Sequence, residues 1–194
     1  MSKRTLFLIF ALFVITAVLL MLALYKPTPQ QITEILTLPK EPVAQSVLSF
    51  GTPAIATSSS TSTINYSVPV NISTGKNKVT AVQLEMQYDP KVLSNVSASS
   101  SSFFDNPVVL LSETDTTTGR ISYAFGIGPT GQGVVGLGTV ATLNFSVTSS
   151  TEQQTTISFL PKTSLVTAEG INESVLKQTN DITLTVGKNP VPSQ

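Results

Sequence analysis

Acid–base chemistry has few groups to draw on in this chain. Its 194 residues include no histidine and no cysteine. A serine nucleophile would have no imidazole to take its proton. Thiolate and imidazole metal ligands are equally excluded. Carboxylates, lysines and tyrosines remain. The best-placed carboxylate pairs are Glu85 with Asp89 and Glu169 with Glu173. Neither belongs to a pattern that ties it to a cleft, whereas a glycosidase needs two carboxylates at controlled separation about a sugar. Glu113 and Asp115, in SETDTTTG, lack the D-x-[DN]-x-[DN]-G spacing of a calcium loop. Two carboxylates are also few for an ion that takes about six to eight oxygens, so a hairpin turn is the expectation there. No catalytic residue, cofactor or metal is expected.

Groups suited to contact rather than catalysis are easier to find. In VQLEMQYDPKVL, Val82, Leu84, Met86 and Tyr88 alternate with Gln83, Glu85 and Gln87. That period of two marks a strand with one buried face. Its polar row either meets water or meets a partner. Asp89-Pro90 reads as the corner that ends the strand, with Leu93 returning to the core. Phe103-Phe104 has two readings: an anchor for a loop, or an exposed platform for stacking a sugar. The other aromatics, Tyr66, Tyr88, Tyr123, Phe125, Phe145 and Phe159, fall on core-side positions, which leaves no spare aromatic row. Charged residues make up 11% of the chain and balance, eleven of each sign, so nucleic acid is not an expected partner.

These groups must be positioned by an all-β framework. Alternation recurs at residues 64–72, 121–127, 141–147 and 182–186, with shorter apolar runs at 108–111, 157–159 and 165–166. Turn signals separate them at 74–77, 118–120 and 169–170. A β-sandwich of about nine strands over residues 47–187 follows. Pro69 lacks a ladder donor, which predicts an edge strand or an outward-facing nitrogen. Five N-x-S sequons, at Asn65, Asn71, Asn95, Asn144 and Asn172, matter only where exported asparagines are glycosylated.

The N-terminus is of another kind. Residues 5–25, TLFLIFALFVITAVLLMLALY, carry no charge, and about 20 apolar residues span a bilayer as a helix. Lys3 and Arg4 precede the run and Lys26 follows it, which places the N-terminus in the cytoplasm and the remainder outside. The apolar core exceeds that of a cleaved signal peptide, and LALYKP offers no small-x-small exit. Residues 1–25 therefore read as a cytoplasmic tip and single-pass membrane anchor. Residues 26–46, with Pro27, Pro29, Pro39 and Pro42, read as a stalk, and residues 188–194 as a tail.

The order VQLEMQYDPKVL, SSFFDNPVV, GRISYAFG, GLGTVATLNFSV resembles the cohesin family over residues 46–186. Its most specific parts are the strand ending in Tyr-Asp-Pro with a following Leu and the pattern G-x-G-x-x-A-x-[LI]-x-F. The resemblance implies a jelly-roll sandwich related to cellulose-binding-type modules. It also implies a dockerin-like protein partner, with calcium held in the dockerin. Polysaccharide binding by the same fold, or service as a structural spacer, are the alternatives. By position, the family's binding face falls on Ala81, Gln83 and Glu85 of one strand and on Ser122, Ala124 and Gly126 of another. Gln87 extends the first row. The family commonly sets bulkier apolar groups on this face, where Ala124 and Gly126 are small.

Overall fold

In the computed structural model the described residues are 3–24, 43–56, 63–148 and 151–187. The expected stalk lies almost wholly outside them, and the tail entirely so. The chain divides into two compact units, residues 1–41 and 42–194.

The first unit contains α1 (Lys3–Leu24), a 22-residue helix. At a rise of about 1.5 Å per residue it is long enough to cross a hydrocarbon core. Its described side chains show no polar stripe. Among the described residues it is the one helix with the length and composition of a membrane span, properties that a signal sequence shares.

The second unit is a sandwich of two six-stranded sheets. Sheet 1 holds β1 (Ser46–Phe50), β2 (Ala54–Ala56), β3 (Thr63–Ser73), β5 (Ser94–Ser100), β8 (Leu137–Thr148) and β11 (Leu176–Asn180). Its order is β11-β1-β3-β8-β5, with β2 on β3. Sheet 2 holds β4 (Val79–Gln87), β6 (Val108–Asp115), β7 (Arg120–Gly126), β9 (Gln153–Phe159), β10 (Leu165–Ala168) and β12 (Ile182–Val186). Its order is β12-β9-β4-β7-β6, with β10 on β4.

Alternation explains the core. Val68, Val70 and Ile72 of β3, Leu84 and Met86 of β4, Ile121 and Phe125 of β7, and Leu143 of β8 are all buried between the sheets. Each takes the inward position of a period-two strand. The core-side aromatics are buried as expected. Phe50 of β1 stacks on Phe159 of β9 at 4.5 Å between ring centres, which ties sheet 1 to sheet 2.

Twelve strands stand where about nine were expected from periodicity. The additions are β2, β5 and β11. The strand β2 is only three residues long, AIA, while β11 (LKQTN) and β5 (SNVSASS) are short of apolar residues, and within β5 only Val96 is buried. Backbone pairing to β8, rather than side-chain patterning, makes β5 a strand. Of the two readings of Pro69 only the edge strand is corrected, because β3 is an interior strand. Its tolerance has a local cause. The Pro69 carbonyl accepts the Gly51 N–H at 2.8 Å, where the neighbour of β3 changes from β1 to β2. The missing donor faces that break.

Candidate partner-binding face

The corner after β4 sets one end of the candidate site. Asp89 Oδ1 accepts the Lys91 N–H at 2.9 Å, and its carbonyl accepts the N–H groups of Val92 and Leu93. Leu93 is buried, as expected. The β6–β7 hairpin closes beside it. Gly119 has a φ of +75°, and a Cβ there would lie 2.2 Å from the Tyr88 carbonyl oxygen. Only glycine fits that approach. The Gly119 carbonyl accepts the Tyr88 N–H at 2.8 Å and so fixes the register of β4 on β7.

That register brings the two predicted rows together. Ala81 lies opposite Gly126, Gln83 opposite Ala124, Glu85 opposite Ser122, and Gln87 opposite Arg120. Paired residues share a sheet face, so all seven predicted face residues lie on one outer surface. A Cβ on Gly126 would meet the Ala81 Cβ and the Thr80 carbonyl oxygen at 2.7 Å each, which keeps this part of the floor flat.

Glu85 departs from a solvated row. It is 3% exposed, although it points away from the core. Arg120 donates to its Oε2 from Nε at 3.0 Å and from Nη2 at 2.8 Å. Ser122 Oγ donates to the same oxygen at 2.7 Å, and Gln83 Nε2 donates to Oε1 at 3.0 Å. Burial pushes this carboxyl up. The hydrogen bonds from Ser122, Gln83 and Arg120, with the Arg120 charge, outweigh that and hold it below the ordinary value. The Glu85 backbone is also fixed: its N–H donates to Ser164 Oγ, and its carbonyl accepts from Ser164 Oγ and the Leu160 N–H. Glu85 therefore builds the face from beneath, while Gln83 and the Arg120 guanidinium cover it. Gln87 donates to the Thr118 carbonyl and braces the hairpin.

Arg120 and Ser164 did not figure among the predicted site residues. Arg120 sits two residues before Ser122, so period two alone places it on the same face. Ser164 had no local signal, being 79 residues from its partner.

The alternative sugar contact fails at Phe104, which is 2% exposed and meets Phe125 edge-on at 5.9 Å between ring centres. Phe103 is half-buried over Gly138, where a Cβ would lie 2.7 Å from its ring. Both anchor the 101–107 loop. Asp115 serves the β6–β7 turn: Oδ1 accepts the N–H groups of Thr117 and Thr118, and Oδ2 accepts the Thr118 hydroxyl at 2.7 Å. These bonds, led by that from the Thr118 hydroxyl, lower its pKa. No cluster of three or more histidine, cysteine, aspartate or glutamate side chains occurs among the described residues.

The β4–β7 part of sheet 2 is thus a polar outer face locked by hydrogen bonds. The family model for the cohesin domain matches residues 52–186, and the chain belongs to the cohesin family. Cohesin domains are non-catalytic modules that bind proteins. The fold is similar to that of the third ScaC cohesin in complex with the ScaB dockerin from Acetivibrio cellulolyticus. That match has a TM-score of 0.53 and 16% identity over 73% of this chain and 99% of the other. A type I cohesin–dockerin complex from Clostridium thermocellum matches at a TM-score of 0.54 and 13% identity, over 75% and 96% of the two chains. The seventh ScaB type I cohesin from Pseudobacteroides cellulosolvens matches at 0.54 and 12%, over 77% and 96%. At these identities the likeness is one of fold. No curated protein matches the chain.

Proposed function

We propose that this chain is a membrane-tethered cohesin that holds a dockerin-type protein partner on the outer face of sheet 2. The observation that carries this reading is the register of β4 on β7. It gathers Ala81, Gln83, Ser122, Ala124 and Gly126 into one surface braced by the buried Glu85 carboxylate and its half-exposed partner Arg120. A flat floor of small side chains, held from below, suits a rigid partner that brings its own relief. The solved relatives in complex with dockerins add support. Polysaccharide binding is the weaker reading, because Phe104 lies in the core and no aromatic platform replaces it among the described residues of the sandwich.

The tether is α1, with Lys3 and Arg4 on the cytoplasmic side and the sandwich outside. The eighteen residues 25–42 then separate the helix from the first described residue of the sandwich. Fully extended they would reach about 60 Å, enough to clear a headgroup layer.

The test uses the full chain in nanodiscs and calcium-loaded dockerin modules encoded in the same genome. Gln83→Arg and Ala124→Arg each place a long cation on the floor. Each is expected to weaken capture on the order of 100-fold. Capture that is equally strong with both variants would overturn the proposed face. Glu85 is unsuitable for this test, because its replacement dismantles the surface as well as altering its charge.

A further inference from the structure

Four of the five N-x-S sequons fall on strands of sheet 1: Asn65 and Asn71 on β3, Asn95 on β5 and Asn144 on β8. Asn172 lies between β10 and β11. Such a triplet accepts a sugar only at the surface of an exported chain. The asparagine amide and the hydroxyl two residues on must both be within reach of the enzyme that joins them to the sugar.

The fold withdraws four of the five. Asn65 Oδ1 accepts the Ser146 hydroxyl at 2.8 Å, and Asn71 Oδ1 accepts the Thr139 hydroxyl at 2.9 Å. Both belong to the interior strand β3. The Asn71 amide also lies against Gly51, where a Cβ would be 2.8 Å from Nδ2. Asn144 is half-buried on β8, between Ser67 of β3 and Ser97 of β5. Asn172 is exposed, but its hydroxyl is engaged. Ser174 is half-buried, and its Oγ accepts the N–H groups of Val166 and Leu176 at 3.2 and 3.3 Å.

Asn95 differs on every count. The strand β5 ends the order of sheet 1, with β8 as its one neighbour there. Its register shifts between Ser94 and Ser97, a bulge that takes Asn95 out of the ladder with a φ of +50°. Asparagine enters that region more readily than most residues with a side chain. Asn95 and Ser97 are both exposed, and neither side chain makes a hydrogen bond among the described residues. Val96 between them is buried and anchors the segment.

The edge itself points the same way. A free strand edge offers unpaired backbone groups to other chains, and proteins guard it with charge, proline, a bulge or a cover. The edge strand β6 of sheet 2 carries Glu113 and Asp115. The strand β5, SNVSASS, has neither charge nor proline. Its guard is the bulge, at the very residue whose amide is open.

We infer that Asn95 is an N-glycosylation site and that its glycan covers the free edge of β5. The donor is an oligosaccharide held on a lipid through a phosphate or pyrophosphate. Asn95 Nδ2 displaces that group at C1 of the sugar. The N–C1 bond forms, the C1–O bond breaks, the lipid phosphate leaves with the electron pair, and the amide gives up one proton to base. The inference rests on the reading that the sandwich lies outside the membrane.

The test takes the full chain from the membranes of cells that encode it. Protease added to intact and to opened cells shows on which side the sandwich lies. Mass spectrometry of the peptide holding residues 94–100 then reads the modification. A glycan on Asn95 is expected, with Asn65, Asn71, Asn144 and Asn172 bare. Ser97→Ala should abolish the addition and Ser97→Thr should keep it. The Ser97 side chain is exposed, so the fold should tolerate both changes. In detergent, the bare Ser97→Ala chain should self-associate at a lower concentration than the wild type, as read by sedimentation. A sandwich open to protease on intact cells with a bare Asn95, or with the glycan on another sequon instead, would overturn the inference and leave the outside location standing. A sandwich that protease reaches only in opened cells would remove that location and the inference with it. A glycan on Asn95 with equal self-association of the two chains would keep the site and overturn its role as a cover.

Discussion

The two sheets share one core and present opposite kinds of outer surface. The strands of sheet 1 contain a single charged residue, Lys177 on β11. Its outer polar groups pair as neutral neighbours: the Thr139 hydroxyl donates to Asn71 at 2.9 Å, and the Ser146 hydroxyl to Asn65 at 2.8 Å. The strands of sheet 2 carry Glu85, Glu113, Asp115 and Arg120, grouped on the adjacent strands β4, β7 and β6. Both faces alternate with period two, so periodicity cannot separate them. What separates them is whether an outward side chain is satisfied by a like neighbour or locked into a charged network. Only the second arrangement holds a buried carboxylate among charged and hydrogen-bonding neighbours.

The comparison breaks first, and by the largest amount, if the core is not shared. Leu84 of β4 and Leu143 of β8 are both fully buried. Truncation to alanine should cost about 2–5 kcal/mol at either position, from lost transfer energy and the cavity left behind. Urea unfolding of the full chain in detergent would measure both. Nearly equal losses with a single transition are expected. A large loss at one site alone, or two separate transitions, would mean that the sheets are stabilised independently.

A smaller effect should distinguish the outer faces. Glu85→Ala removes a buried carboxylate and leaves Ser122, Gln83 and Arg120 without their acceptor. The Arg120 side chain is 46% exposed and can rehydrate, which lowers the cost of the broken pair. About 1–3 kcal/mol is expected. Asn71→Ala, at the corresponding neutral pair of sheet 1, should cost about 0.5–1 kcal/mol. Unfolding midpoints of the two variants test this directly. Equal costs would mean that the ion pair adds nothing beyond an ordinary surface hydrogen bond.

How much of this was legible follows from the range of the interactions. Leu84, Met86, Tyr123 and Phe125 could be placed in the core because alternation is local and one residue of slip would reverse every side chain. The outward placing of Gln83, Ala124 and Ser122 followed from the same rule. The burial of Glu85 did not, because it depends on Arg120, 35 residues away, and therefore on register. Register is set here by Gly119 against Tyr88. The sequence showed a turn at that point but not which residues it would bring opposite each other. The strand β5 escaped for the converse reason. Its serines carry no pattern, and its pairing with β8 is a property of the backbone. The family resemblance supplied which face to examine, and geometry supplied what lies on it.

The smallest expected effect is also the most specific to sheet 2. The folded-state pKa of Glu85 lies below its ordinary value of 4.5, whereas unfolding restores that value. The unfolded chain then binds the proton more readily than the folded one. This carboxylate therefore contributes stability that is complete above about pH 4.5 and is lost as pH falls through the folded-state value. Glu85→Gln cannot titrate, so the stability difference between wild type and this variant should be level from pH 7 to 5 and should narrow below that. Asp115, also lowered, titrates alike in both proteins and cancels from the difference. Substituting Asn71 on sheet 1 should leave a difference from wild type that does not change with pH, since no carboxylate lies in the strands around it. Unfolding curves between pH 3 and 7 decide the matter. A wild-type advantage over Glu85→Gln that stays constant down to pH 3 would show that Glu85 is held by shape alone and not by its charge.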